Sequence, residues 1–271
     1  MRPGHLKRIL TALALLCLVA AALILGGWFM FGLAFVVSCL GLMEFFALFS
    51  SDSPGPGLKA AAVILGGLIL LSAQFGILWG GVLILALAHW GANLGFLFSY
   101  GRTPDRADYA KTQLLTAGLC YIPLMLQFVI RMERFEIILV LAAVMASDTG
   151  AYYCGSKFGR RPVWPSVSPK KTVEGAIGGT LLSMAVCAVL GAFQGPAGPI
   201  GLPVWGFALL GLGLSLAAQF GDFFESALKR KLGVKDSGKT LPGHGGILDR
   251  IDGLLLAVPV YIAVRTVYSL F

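Results

Sequence analysis

The sequence is short of charge. Only 13% of its 271 residues are Asp, Glu, Lys or Arg, about half the share in a soluble domain. Hydrophobic residues supply 57% and the mean hydropathy is +0.84, so lipid must be the solvent for most of the surface. Acid is scarcer than base, with 13 carboxylates against 21 Lys and Arg and a net charge of +8. The basic residues sit in short loops between apolar runs, which argues for membrane topology and phosphate ligands and against nucleic acid as a partner. The five cysteines (17, 39, 120, 154 and 187) are odd in number and form no CxxC. That excludes a disulfide framework or a zinc site and leaves them as small apolar residues. Of three histidines, His5 and His89 stand without polar company and read as flank and helix packing.

Apolar runs are what the chain has in abundance. Nine are read as membrane spans, at about 9–25, 29–49, 59–73, 75–98, 111–130, 135–152, 174–193, 204–220 and 253–264. A helical span needs about 20 residues, for which the third is short. Arg2, Lys7 and Arg8 before the first run resemble a signal-peptide flank, but the run is long and another follows at once, so it reads as an uncleaved span. The fold class expected is therefore all-α, a polytopic integral membrane protein with about nine transmembrane helices. With the N-terminus in the cytoplasm, 18 of the 21 Lys and Arg fall on the cytoplasmic side and three (Arg131, Arg134, Arg265) on the other. This is the asymmetry of the positive-inside rule. It places the chain in the cell's inner membrane with its polar motif loops cytoplasmic.

One long stretch breaks the apolar pattern, residues 221–252, GDFFESALKRKLGVKDSGKTLPGHGGILDRID. It holds six Lys or Arg, five Asp or Glu and His244. Carboxylates at Asp222, Asp249 and Asp252 suit a cation; Lys229, Arg230, Lys235, Lys239 and Arg250 suit phosphates. The glycines around His244 offer bare backbone for close approach to a ligand. Asp222, Ser226 and Lys229 share a helix face at i, i+4, i+7, and Asp249 and Asp252 share one at i, i+3. Together these features describe a metal-dependent site for a phosphorylated substrate at a membrane surface.

The residues Ser226, Leu228-Lys229-Arg230, Lys235-Asp236, Leu241-Pro242, His244-Gly245-Gly246, Asp249-Arg250 and Asp252, spaced over 27 positions, resemble the signature of the phosphatidate cytidylyltransferases, or CDP-diacylglycerol synthases. Two upstream motifs resemble others of that family: Ser147-Asp148-Thr149-Gly150-Ala151-Tyr152, and Ser168-Pro169-Lys170-Lys171-Thr172-Val173-Glu174-Gly175 with Gly178-Gly179. The likeness covers the C-terminal half; in the N-terminal half it is one of hydropathy only. It divides the chain into N-terminal helices, 1–98, and a catalytic region, 99–271, carrying the signature at 226–252.

The resemblance implies transfer of the cytidylyl group of CTP to phosphatidate, giving CDP-diacylglycerol and pyrophosphate. It implies Mg²⁺ on Asp222 and Asp249, with room for a second cation and with Asp148 and Asp252 as further candidates. The implied catalytic set is Asp222, Lys229, Arg230, Lys235, Asp249 and Arg250. The implied substrate-binding set is Ser147, Asp148, Lys170, Lys171, Thr172, Glu174, Ser226, Lys239, His244, Gly245 and Gly246. A homodimer in the lipid bilayer is implied as well. Bland alternatives stand beside some of these roles. Asp148 reads as a helix-end cap or a site wall. Lys170 and Lys171 read as a positive-inside flank or triphosphate ligands, with Thr172 capping the next helix so that its free N–H groups face an anion. Gly175, Gly178 and Gly179 read as helix packing or as part of the site. A CTP-dependent polyprenol or phytol kinase is the rival enzyme, and a transporter the rival from another class, though transporters carry their charges near the midplane.

Overall fold

The computed structural model describes residues 3–49, 55–77, 79–194, 201–238, 240–243 and 245–268, the side chains of 3–8 and 106 excepted. Lys239, His244 and the side chain of His5 lie outside the described residues. Among the described residues ten α-helices follow one another: α1 (Pro3–Leu25), α2 (Gly27–Leu48), α3 (Pro56–Gln74), α4 (Gly80–Arg102), α5 (Tyr109–Tyr121), α6 (Pro123–Ile130), α7 (Arg134–Phe158), α8 (Val173–Gln194), α9 (Val204–Lys231) and α10 (Leu248–Tyr268). No strand occurs among the described residues, only isolated bridges between Pro162 and Thr172 and between Leu241 and Gly245. Helices are what lipid demands, because every backbone N–H and C=O must find its partner within the segment. Eight stretches are long and apolar enough to cross a membrane, and a shorter apolar helix covers Ile9–Leu25. The chain is an all-α polytopic membrane protein.

Several bounds differ from the hydropathy reading. The third span, at Pro56–Gln74, has 19 helical residues and reaches a full crossing. The fourth starts at Gly80, after a turn in which Gly76 takes φ +72°. The fifth is two helices, because Pro123 has no N–H to continue the ladder and opens α6 instead. The sixth runs ten residues beyond Asp148, to Phe158. Asp148 thus lies within a helix and does not end one. Nor do the cysteines all serve as buried filler: all five are free, Cys187 is buried, and Cys17 and Cys120 are exposed. His89 is exposed on α4, and its ring shares a hydrogen bond with Asn93 Nδ2 at 3.1 Å.

The chain forms two compact units, one of residues up to Arg131 with Asp236–Asp249, the other of Met132–Lys235 with the chain from Arg250 onward. In the first, Leu42, Phe46, Ile69, Leu70, Leu119 and Ile122 are fully buried. Gly118 lets α5 approach α2; a Cβ there would stand 3.2–3.3 Å from Leu42, Phe45 and Phe46. The second is built on α7, α8, α9 and most of α10 around Leu139, Phe207, Leu214, Leu255 and Tyr261. Its α7–α8 contact is glycine-made. A Cβ on Gly150 would meet the Gly178 carbonyl at 2.7 Å, one on Gly178 would overlap Cys154, and one on Gly179 the Ser147 carbonyl. Gly178 and Gly179 are therefore helix-packing residues, which decides between the two readings left open for them. α9 has 28 residues, about 42 Å of helix, against about 30 Å of hydrocarbon. Its last turns, from Asp222 onward, lie beyond its apolar run.

Candidate active site

In the second unit, α7, α8, α9 and the 159–172 loop line a cavity of about 510 Å³. Asp148, Lys170, Lys171, Thr172, Gln219 and Asp222 face it, with Tyr152 and Phe223 as aromatic wall. The loop is tightly tied. Val163 N donates to Lys171 O at 2.9 Å, and Val173 N to Arg161 O at 2.8 Å. Glu174 accepts from the backbone N–H of Arg160 (3.0 Å) and Arg161 (3.3 Å), so its carboxylate holds the loop. Thr172 Oγ1 accepts from Gly175 N at 3.2 Å, capping the first turn of α8 as its position predicts. The α8 N-terminus and two lysines thereby meet at one cavity, a combination suited to anionic ligands.

Lys171 is the centre of this arrangement. Its ammonium is ion-paired with the Asp222 carboxylate and lies 4.6 Å from the Phe223 ring centroid. Phe223 is in turn held edge-on by Trp164, at 4.7 Å and 80°. Both partners of the ion pair keep about a third of their side chains exposed (33% and 35%), so a ligand or cation can reach them. Ser226 Oγ donates to Asp222 Oδ1 at 3.3 Å, as the shared helix face predicts. The Lys229 ammonium pairs at 3.1 Å with Glu225, which is fully buried. Arg230 Nε donates to Val167 O at 3.4 Å, and Lys235 and Arg250 are exposed. Asp252 Oδ1 accepts from its neighbour Gly253 N at 2.7 Å, and the charges of Asp222, Lys229 and Lys171 reach it.

Ser147 is fully buried and does not line the cavity. Its hydroxyl shares a 2.8 Å hydrogen bond with Ser215. Gln219 Nε2 donates to Ser215 (2.9 Å) and Thr180 (3.1 Å), joining α7, α8 and α9 by a polar network below the cavity. Gln219 is absent from the sequence-derived site. Its signal was available: an amide in an apolar run, one helical turn before Asp222.

The remaining signature residues belong to the first unit. There Asp249 accepts from Gly246 N at 2.9 Å and Ser237 N at 3.1 Å. Leu241 N donates to Gly245 O at 2.9 Å, closing a turn in which Gly243 and Gly245 take φ +79° and +82°, values only glycine adopts cheaply. Gly246 is bare because a Cβ would overlap Ser237 Oγ and the Glu44 carboxylate. Glu44, on α2, is only 6% exposed and went unnoticed in the sequence. It is nevertheless the sole acidic residue before Asp52, and a carboxylate within a span is a functional hypothesis by default.

Among the described residues no three His, Cys, Asp or Glu side chains close on one point as a preformed metal cage would. Mg²⁺ does not need such a cage, since one or two carboxylates with substrate oxygens and water suffice. Asp222 and Asp148 on one cavity meet that requirement, and the Lys171 ammonium on Asp222 already marks a place for positive charge.

Comparison with known proteins covers far more than the signature. The cytidylyltransferase family profile matches residues 6–268, including the N-terminal half where only hydropathy had been legible. The chain is 33% identical over 261 residues to the phosphatidate cytidylyltransferase of Staphylococcus epidermidis, spanning 93% of this chain and 96% of that protein. The Haemophilus influenzae protein of the same name is 32% identical, with 94% and 96% covered. That of Thermotoga maritima is 41% identical over 178 residues, 61% of this chain and 64% of its own.

Proposed function

The chain belongs to the cytidylyltransferase family, and on that premise we propose that it is a phosphatidate cytidylyltransferase, a membrane nucleotidyltransferase of phospholipid synthesis. Its substrates are CTP and phosphatidate; its products are CDP-diacylglycerol and pyrophosphate. The observation that supports this best is the second-unit cavity. Two carboxylates, two lysines and a capped helix N-terminus share it, beside a helix that outruns its apolar segment.

A phosphate oxygen of phosphatidate attacks the α-phosphorus of CTP. The bond from that phosphorus to the α–β bridging oxygen breaks, and its electron pair leaves with pyrophosphate. A phosphomonoester has its second pKa near ~6, so the nucleophile is already ionised at neutral pH and no side chain need act as base. The difficulty is bringing two polyanions together. Lys170, Lys171 and the α8 N-terminus bind the triphosphate; Arg230, Lys235 and Arg250 add positive charge around the approaching phosphates. Mg²⁺ held by Asp222 and Asp148 would neutralise charge on the phosphate oxygens. The resemblance also makes Asp249 a ligand, and a carboxylate that accepts from backbone N–H groups can bind a cation as well. Asp252 is the candidate for a second one.

With α-labelled CTP, label should enter the lipid fraction only when phosphatidate is present; γ-label should leave as pyrophosphate. Lipid carrying γ-label alone would replace this reading with a CTP-dependent lipid kinase. We further propose that the N-terminus and the 159–172 loop are cytoplasmic and that the protein is a homodimer. In a Cys-free background, Ser166→Cys and Arg131→Cys should label from opposite sides of the membrane; labelling from one side would refute the orientation. Mass measurement in lipid nanodiscs reads the oligomer.

A further inference from the structure

Glu44 stands outside every motif, yet the 237–248 loop is built around it. Its Oε1 accepts from Ile247 N at 3.0 Å and from the Thr240 hydroxyl; its Oε2 accepts from Leu248 N at 2.9 Å and Ser237 Oγ at 3.2 Å. Two backbone and two side-chain donors thus converge on one carboxylate, some 200 residues away in the chain. Ile247 precedes α10 and Leu248 opens it, so Glu44 also takes up an N–H group that a helix start leaves without an internal partner and lies at the positive end of its dipole. A carboxylate this deeply buried is costly unless compensated in this way.

The loop's glycines are fitted to the same group. A Cβ on Gly238 would stand 2.6 Å from Glu44 Oε1, and one on Gly246 would overlap Oε2. Nothing larger than hydrogen leaves room for the carboxylate at these two places. α1 adds a weaker tie, Thr11 Oγ1 donating to Pro242 O at 3.1 Å. Within the same loop Asp249 accepts from Ser237 N and Gly246 N. Glu44 and Asp249 therefore hold Ser237 and the Gly246–Leu248 corner from two sides, and losing Glu44 leaves the backbone that orients Asp249 unanchored.

We propose that Glu44 is a positioning residue for the reaction: an anchor on α2 that sets the signature loop and, through it, Asp249. The proposal rests on the cytidylyltransferase reading above for its kinetic arm, while its structural arm is independent of the reaction. It also gives the N-terminal helices a task in catalysis, since the anchor comes from α2.

The test compares Glu44→Gln, Thr240→Val and the double variant in lipid nanodiscs, by backbone hydrogen exchange and by CTP turnover with phosphatidate. An amide keeps one acceptor oxygen and turns its NH2 toward one hydroxyl, which can reverse and accept, and one backbone N–H, which cannot, so Glu44→Gln breaks a backbone bond without losing volume. Exchange at Ile247 and Leu248 should rise while the cores of α2, α3 and α9 stay protected. Turnover per folded molecule should fall about a hundredfold, with KM for CTP nearly unchanged. Thr240→Val should cost about tenfold, and the double variant should be no worse than Glu44→Gln, because both act through one loop. Unchanged exchange at Ile247 and Leu248 overturns the anchor. Raised exchange with full turnover overturns the positioning role. If Glu44→Gln does not fold, Thr240→Val decides, and wild-type turnover there overturns the proposal. Absence of turnover in the unaltered protein overturns the assigned reaction instead, and the exchange arm still reads the anchor.

Discussion

The two compact units use their carboxylates in opposite ways. In the first, Glu44 and Asp249 are turned inward onto backbone N–H groups and hydroxyls, and they hold a loop in place. In the second, Asp148 and Asp222 line a cavity, and Asp222 is matched by a lysine that is itself a third exposed. A carboxylate bound to fixed amides helps hold the scaffold. One paired with a mobile ammonium can exchange that partner for a metal ion or a polyanion's counter-charge. Acidic residues of one signature therefore take different local partners. Glu174 and Glu225 extend the point, since both belong to motif segments, yet one ties the 159–172 loop and the other is fully buried against Lys229.

The contrast can be broken most severely at Asp222. Asp222→Asn should lower turnover about a thousandfold while the protein stays folded and inserted, as read by thermal stability and size exclusion in nanodiscs. Near-normal activity at saturating Mg²⁺ would remove Asp222 from the centre. Lys171→Met should cost about a hundredfold in kcat/KM for CTP. It should also lower the Mg²⁺ concentration needed for half-maximal activity, because the ammonium no longer competes for Asp222; an unchanged Mg²⁺ requirement would mean the pair is not opened in the reaction. Asp249 sharpens the comparison, since the resemblance makes it a ligand and its geometry makes it a loop tie. We expect Asp249→Asn to lose at least about a hundredfold at saturating Mg²⁺, charge being what a metal needs. Activity retained in Asp249→Asn and lost in Asp249→Ala would leave it only the structural task. The smallest effect belongs to Glu174→Gln, where the amide oxygen can replace the single carboxylate oxygen that accepts both N–H bonds, so that only the charge is lost. A rise of about fivefold in KM for CTP, equivalent to roughly 1 kcal/mol, is expected with kcat unchanged.

Much of this was legible without coordinates. Hydropathy located the eight membrane-length stretches and the shorter apolar helix, the helix-face argument placed Ser226 on Asp222, and the capping argument placed Thr172 at the start of α8. Positions whose local partners the sequence did not foretell share a cause. Lys229 was grouped with Asp222 by spacing, but a partner four residues back, Glu225, lies closer to its reach. Ser147 sits beside Asp148 in the motif and on another side of the helix, so one faces Ser215 and the other the cavity. Gly246 was read as open to a ligand, whereas its open side is filled by Glu44 and Ser237.

The sequence by itself determined the membrane, the helices and the family. Each rests on local information: twenty apolar residues suffice to make a span, and many fixed positions within a short stretch suffice to mark a signature. Which carboxylate faces a cavity and which faces amides was decided only by tertiary structure. Burial makes a charged group depend on the donors around it, and those donors come from elsewhere in the chain. Ile247 and Leu248 meet Glu44 across some 200 residues of sequence, a pairing that no local pattern encodes and that close packing of α2 against the loop creates.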